Sequence, residues 1–325
     1  MKTFLLHLSF LGCIVGQAGS LRRVVNPPKA IFNVTTPTGL TFHHQNSPTP
    51  NKYLIETMGG GLALLDYDND GLLDIFLVNS GKVGASETFS RRDLRYWNRL
   101  YKQNRDGAFR DVTEAAGLAA AGDENYGMGV AAADYDNDGF TDLYVTSYGR
   151  NVLYHNNGNG TFTDVTRRAG VAAGGWSVSA GFFDYDNDGR LDLFVTRYME
   201  WDLRHSKACQ KQTYCPPDDF PATTNKLYRN RGDGTFEDVS ESSGIAAKKG
   251  RALGVAFNDY DGDGRPDIFV ANDGMEQFLF HNQGGAALRS ALWRPGSHFP
   301  TMASRTPAWA SIFAITITME NPILS

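Results

Sequence analysis

The chain has 325 residues, 41% of them hydrophobic, with 31 Lys and Arg against 36 Asp and Glu and a formal net charge of −5. That length and apolar content exclude an intrinsically disordered chain and allow a large buried core. The mild net charge gives no sign of a nucleic-acid or membrane-surface preference, and basic runs such as Arg167-Arg168 and Lys248-Lys249 are short enough to be solvated faces.

In chain order, the first element is a targeting segment. Met1-Lys2 is a basic start, Thr3 to Gly16 an apolar run, and Gly16-Gln17-Ala18 offers small residues for cleavage, so residues 1–18 read as a signal peptide. The run is too short for a comfortable transmembrane helix, and export to an extracellular or periplasmic space is expected. Phe10-Leu11-Gly12-Cys13 also fits a bacterial lipoprotein box, which leaves a lipid anchor at Cys13 as the alternative.

The body of the chain then spells nearly the same nine residues four times: Asp66-Tyr-Asp-Asn-Asp-Gly-Leu-Leu-Asp74, Asp134-Tyr-Asp-Asn-Asp-Gly-Phe-Thr-Asp142, Asp184-Tyr-Asp-Asn-Asp-Gly-Arg-Leu-Asp192 and Asp259-Tyr-Asp-Gly-Asp-Gly-Arg-Pro-Asp267. Four carboxylates in nine residues repel one another unless a cation lies between them. Oxygen ligands at alternate positions are what a hard divalent ion such as Ca2+ takes. Sixteen of the 36 acidic residues lie in these loops, leaving 20 against 31 Lys and Arg. Four bound Ca2+ ions would move the net charge to about +3.

Each loop sits in the same surroundings. Before it runs a small apolar segment, such as Gly127 to Ala133, and after it a β-branched and aromatic one, such as Leu143-Tyr-Val-Thr146. Short runs of this composition bounded by Gly and Asp are strands. Two more follow: Val152-Leu-Tyr154 leads through the Asn157-Gly-Asn-Gly160 turn into Phe162-Thr-Asp-Val-Thr166, and the other units repeat this order. Four antiparallel strands per unit, at loop spacings of 68, 50 and 75 residues, describe a propeller blade, with insertions at Lys82 to Asn98 and Met199 to Thr224. An EF-hand is excluded, because its twelfth position needs a Glu and here holds Leu77, Val145, Val195 and Val270.

In the mature chain Cys209 and Cys215 stand alone in a Pro-rich loop, and in an oxidising compartment they are expected to form a disulfide. Two thiolates without a following His do not make a zinc site. Glu56, Glu124 and Glu276, outside the loops, read as ordinary surface residues.

The two motifs resemble the FG-GAP and VCBS repeats of integrin α-subunit propellers. They are closer still to the secreted cartilage acidic protein and UnbV/ASPIC group, whose units read Leu-Tyr-x-Asn-x-Gly-Asp-Gly-Thr-Phe-x-Asp-Val-Thr. The resemblance covers Pro28 to about Gly284. It implies an all-β propeller of four-stranded blades and Ca2+ at loop positions one, three, five and nine, with a backbone carbonyl at seven. The implied ligands are Asp66, Asp68, Asp70, Asp74 and Leu72; Asp134, Asp136, Asp138, Asp142 and Phe140; Asp184, Asp186, Asp188, Asp192 and Arg190; Asp259, Asp261, Asp263, Asp267 and Arg265. The glycine at position six independently permits the sharp turn that brings alternate residues together.

Residues 285–325 break the pattern, with no aspartate and no repeat. Reading the codons shifted by two bases, Trp309 before Ala310, Met319 before Glu320 and Met302 before Ala303 each force Gly. Permitted choices elsewhere let Met302 to Ile323 read G-K-S-D-A-G-M-G-I-D-F-R-D-Y-D-N-D-G-K-P-D, a fifth unit. The tail is therefore expected to be frameshifted and the propeller truncated at its C-terminal end. Ile31-Phe-Asn-Val-Thr-x-x-x-Gly39 repeats the last-strand motif ahead of the first loop, the pattern of a strand whose partners lie at the far end of the array.

The expected function is a secreted, non-catalytic, calcium-stabilised module for adhesion to a protein or glycan partner, with about four Ca2+ sites. No nucleophile–base pair, phosphate loop or cofactor fingerprint is visible in the sequence. The alternative is an extracellular polysaccharide lyase or hydrolase built on the same propeller.

Overall fold

The computed structural model describes residues 38–83, 89–90, 93–119, 125–203, 214–285 and 287–293, all within the compact unit Pro37–His298. The signal segment, Cys13, Asn33, Glu124 and Cys209 lie outside the described residues.

Four antiparallel four-stranded sheets follow one another along the chain. The first is Leu62–Leu65, Asp74–Leu77, Arg99–Gln103 and Phe109–Asp111; the second Tyr126–Ala133, Asp142–Tyr148, Val152–Asn156 and Phe162–Asp164. The third is Ser177–Phe183, Asp192–Arg197, Lys226–Asn230 and Phe236–Asp238; the fourth Ala252–Asn258, Asp267–Asn272, Gln277–Asn282 and Leu288–Trp293. Within each, strands pair in sequence order, the meander of a propeller blade. The first strand of each blade packs against the first strand of the next. Glycine permits that approach: a Cβ on Gly129 would stand 2.3 Å from the carbonyl oxygen of Val178 in the following blade.

The core lies between blades. Phe76 and Leu100 of the first blade pack with Leu143, Val145 and Val152 of the second. Tyr144 and Leu153 meet Leu193, Val195 and Tyr228 of the third, and Phe194 and Leu227 meet Ile268, Val270 and Phe280 of the fourth. Ala180 and Phe182 also face back onto the second blade, whereas the corresponding Leu62 and Leu64 of the first blade are 57% and 56% exposed. A separate aromatic cluster of Tyr53, Tyr126, Trp176, Tyr198 and Trp201 joins the start of the first strands to the 199–224 insertion.

The last blade is completed differently from the sequence expectation. Leu288–Trp293 lies in the segment expected to stand outside the repeats, yet it pairs along its whole length with Gln277–Asn282, and Leu288 is buried where the other blades place Phe109, Phe162 and Phe236. An edge strand needs only backbone hydrogen bonds and one apolar anchor, so a sequence without the motif suffices.

The strand expected at Ile31–Thr35 lies outside the described residues, but its closing turn does not. Phe109 N–H donates to the Thr38 carbonyl at 2.8 Å, just as Phe162 N–H donates to Ala116 and Leu288 N–H to Ser243, each at 2.9 Å. Each acceptor is followed by a left-handed glycine, Gly39, Gly117 and Gly244. Thr38-Gly39 thus stands toward the first blade as the ends of the first and third blades stand toward the blades that follow them.

Candidate functional site

Register creates the carboxylate loops. The ninth-position aspartate is the first residue of each second strand, and it pairs with the residue just before position one: Leu65 with Asp74, Ala133 with Asp142, Phe183 with Asp192 and Asn258 with Asp267. The eight residues between must turn back within one strand spacing. The position-six glycines do so at φ of 86°, 90°, 85° and 85° in Gly71, Gly139, Gly189 and Gly264.

The aspartates have separate tasks. At position one, Asp66 accepts the N–H groups of Asp70 (3.0 Å) and Gly71 (2.8 Å), and Asp134, Asp184 and Asp259 repeat both bonds in their own loops. At position five, Asp70, Asp138, Asp188 and Asp263 each accept the N–H of position seven, Leu72, Phe140, Arg190 and Arg265. These bonds shape the turn and aim the remaining lone pairs into it.

Position nine is a strut. Asp142 accepts from Tyr135 N–H at 3.2 Å and from Asn156 N–H on the third strand at 2.7 Å, and Asp74, Asp192 and Asp267 make the same pair. All four are buried, between 0% and 2% exposed. Burial pushes the Asp142 carboxyl up to about 8 and Asp192 to about 7, against the opposing pull of the backbone bonds; Asp74 and Asp267 are raised for the same reason.

In the first three loops, position three keeps one carboxylate oxygen without a hydrogen-bond donor. Oδ1 of Asp68, Asp136 and Asp186 is buried and makes no hydrogen bond. A buried carboxylate oxygen without a donor is costly, and a hard divalent cation is the partner such a set of oxygens takes. The sets Asp66, Asp68 and Asp70; Asp134, Asp136 and Asp142; and Asp184, Asp186 and Asp192 each converge closely enough to hold one ion.

Each loop also receives a basic side chain from the third strand. Lys102 bonds Asp68 and lies 2.8 Å from Asp70; His155 Nδ1 lies 3.3 Å from both Asp136 and Asp142; Arg229 Nε lies 2.8 Å from Asp186; His281 Nδ1 lies 3.1 Å from Asp267. Burial would lower the Lys102 pKa, but its bonds to Asp68 and Asp70 outweigh that and raise it, and Lys102 in turn holds Asp70 below the usual carboxylate range. At position seven, Arg190 and Arg265 fold back onto Asp188 and Asp263.

Neighbouring blades are stapled at these loops. The asparagine ending the third strand of one blade donates to the position-two carbonyl of the blade before: Asn156 to Tyr67 and Asn230 to Tyr135 at 2.8 Å, Asn282 to Tyr185 at 2.6 Å. The position-two ring then packs on the following blade's fourth strand, Tyr67 on Phe162 and Tyr135 on Phe236. The two sequence motifs are therefore the halves of one inter-blade joint.

A family model described as FG-GAP-like repeat matches residues 66–145, 134–195 and 219–270. The chain belongs to the FG-GAP-like repeat family. Among curated proteins, this FG-GAP chain is 26% identical over 228 residues to Cartilage acidic protein 1 of Homo sapiens, an alignment spanning 65% of the chain and 30% of that protein. The Mus musculus protein of the same name is 25% identical over the same shares. The chain thus spans about a third of the length of the curated relatives it matches. Solved structures similar to it include an Agrocybe aegerita lectin described as recognising non-reducing terminal N-acetylglucosamine, at TM-score 0.37 and 17% identity over 72% of this chain and 51% of that one. Rhamnogalacturonan lyase YesW matches at TM-score 0.37 and 16% identity over 70% and 41%. No helix among the described FG-GAP residues is long and apolar enough to cross a membrane.

Sequence reasoning on the FG-GAP units missed the basic residue, although the place before Gln103, Asn156, Asn230 and Asn282 is Lys, His, Arg and His in turn. It also misplaced Glu56. Glu276 is exposed as expected, but Glu56 is 1% exposed and accepts from Thr49 N–H, Thr49 Oγ1 and Tyr53 N–H, a buried brace of the segment leading into the first blade.

Proposed function

We propose that this chain is an exported, non-catalytic binding module whose blades are each stabilised by Ca2+, and which presents its loops to a protein or glycan surface in adhesion. The observation that carries the reading is the repeated cradle, in the first three of whose loops the third-position aspartate keeps a buried oxygen without a hydrogen bond. The aspartates at positions one, three, five and nine and the carbonyls of Leu72, Phe140, Arg190 and Arg265 are the ligands, one ion to a loop. Export rests on residues 1–18, and in the oxidising space beyond it Cys209 and Cys215 form a local bridge.

The loop carboxylates are engaged by backbone N–H groups and basic side chains or, on the proposed reading, by the ion, and Glu56 is braced by Thr49 and Tyr53. That commitment favours binding over the lyase or hydrolase alternative. An array of glycans and matrix proteins, probed with and without EDTA, tests the choice. Retention that EDTA abolishes, with every glycan left intact, is expected. Release of unsaturated or new reducing-end products would assign the chain to the enzymes instead.

A further inference from the structure

The four loops share their aspartates but not the side chain that reaches them from the third strand. We propose that His155 and His281 are metal ligands, making the second and fourth loops mixed nitrogen–oxygen sites that accept a late first-row divalent ion such as Co2+ or Zn2+, while Lys102 and Arg229 leave the first and third loops as weaker, oxygen-only sites. The proposal rests on the loops being cation sites and adds the residues that set their preference.

The geometry differs between the pairs. His155 Nδ1 is buried, makes no hydrogen bond, and lies 3.3 Å from Asp136 Oδ2 and 3.3 Å from Asp142 Oδ1, while Nε2 lies 3.9 Å from Asp138. His281 Nδ1 is hydrogen-bonded to Asp267 Oδ1 at 3.1 Å, a bond an ion would replace, and lies 3.5 Å from Asp261 Oδ2. Six donors at about 2.1 Å from one ion stand about 3.0 Å from their neighbours. The spacings in both histidine loops are therefore close to those of donors around a single ion. Asp136, Asp138 and His155 converge as one set, and Asp261, Asp267 and His281 as another. Neutral imidazole offers a lone pair of the kind that late first-row ions prefer.

Lys102 and Arg229 hold the same strand position but have no lone pair to offer. Their positive charge lies against the oxygens an incoming ion needs, so they must move aside before it binds. One repeat thus yields two kinds of site, alternating along the array.

The test titrates the EDTA-stripped full chain with Co2+ by calorimetry and visible absorption, and separately with Ca2+. Two tight Co2+ equivalents are expected. Loss of a direct ligand should cost at least what loss of an outer-shell partner does, so in the H155Q/H281Q double variant Co2+ affinity should fall by about 10- to 100-fold or more, while Ca2+ still raises the melting temperature. K102H/R229H should raise the Co2+ stoichiometry from two toward four. Unchanged Co2+ affinity in H155Q/H281Q, or four equal Co2+ sites in the parent, would overturn the histidine assignment and leave Ca2+ binding standing. Failure of the parent chain to bind either ion would remove the cation sites themselves.

Discussion

The side-chain amide of Asn69 donates to the backbone carbonyl of Gly139, 2.9 Å away, and so ties the first carboxylate loop to the second; Asn187 makes the same bond to Gly264, from the third loop to the fourth. Both asparagines hold left-handed backbones, φ 56° and 57°. The fourth loop position therefore needs a residue that tolerates αL and also reaches sideways, and Asn does both. Gly262, at that position in the last loop, keeps only the first property.

Two variants separate these roles. Asn69→Gly retains the backbone freedom and loses the tie, at a cost of about 1 kcal/mol. Asn69→Ala should cost a further 1–2 kcal/mol or so, because a Cβ without a polar group disfavours αL. Urea denaturation measures both. Equal stability of the two variants would show that the turn is not constrained in solution.

The inter-blade staples should matter more. Asn156 donates to both Tyr67 and Thr141 carbonyls and accepts from Gly158 N–H. Asn156→Ala leaves those buried groups without partners, an expected loss of about 1–3 kcal/mol, and Asn230→Ala should behave alike. Gln103, half-buried at the matching place in the first blade, should tolerate alanine better. Thermal melts of the three variants decide the ranking, and a Gln103→Ala loss as large as the other two would contradict it.

On the proposed reading, calcium should raise the stability of the folded chain, because the folded loops would bind it better than the unfolded chain does. Melting temperature in millimolar Ca2+ is expected to exceed that in EDTA. Asp188→Ala should remove one equivalent of Ca2+ by calorimetry and leave the other three. Identical melting curves with and without the ion would exclude the assignment.

A Cys209–Cys215 bridge, as proposed, would close a short loop, for which chain-entropy reasoning gives about 2 kcal/mol. Mass spectrometry of unreduced peptides from exported protein should find the pair joined. Two free thiols in that fraction would rule the bridge out.

The frame-shifted reading of residues 285–325 makes a prediction at the level of DNA. Sequencing of the coding region around Gly284 should reveal an altered base count, and restoring the frame should yield a fifth carboxylate loop. The restored chain should resist protease better, with more of its strand edges paired. An intact reading frame without repeats in the alternative frame would remove the idea.

The repeat and its blades were legible in the sequence because their invariant residues serve local needs: Gly71 and its counterparts turn the loop, and the aspartates at positions one and five bind amides within five residues. The staples were not, because Asn156 and Tyr67 are 89 residues apart and nothing local in Leu-Tyr-x-Asn reveals the acceptor. The basic residues were overlooked for a related reason: Lys102 and His155 differ in chemistry, and only the fold shows that they reach equivalent loops. Leu288–Trp293 could not have been read at all, since backbone pairing at a sheet edge asks little of the side chains.

The staples also run in one direction. Asn156, Asn230 and Asn282 each reach back to the blade made before their own. As the chain is synthesised amino end first, the Tyr67 carbonyl is made before Asn156, and the Tyr135 carbonyl before Asn230. Each of the first three blades thus has its loop secured by the blade that follows it in the chain, and the loop of the last described blade receives no such staple among the described residues.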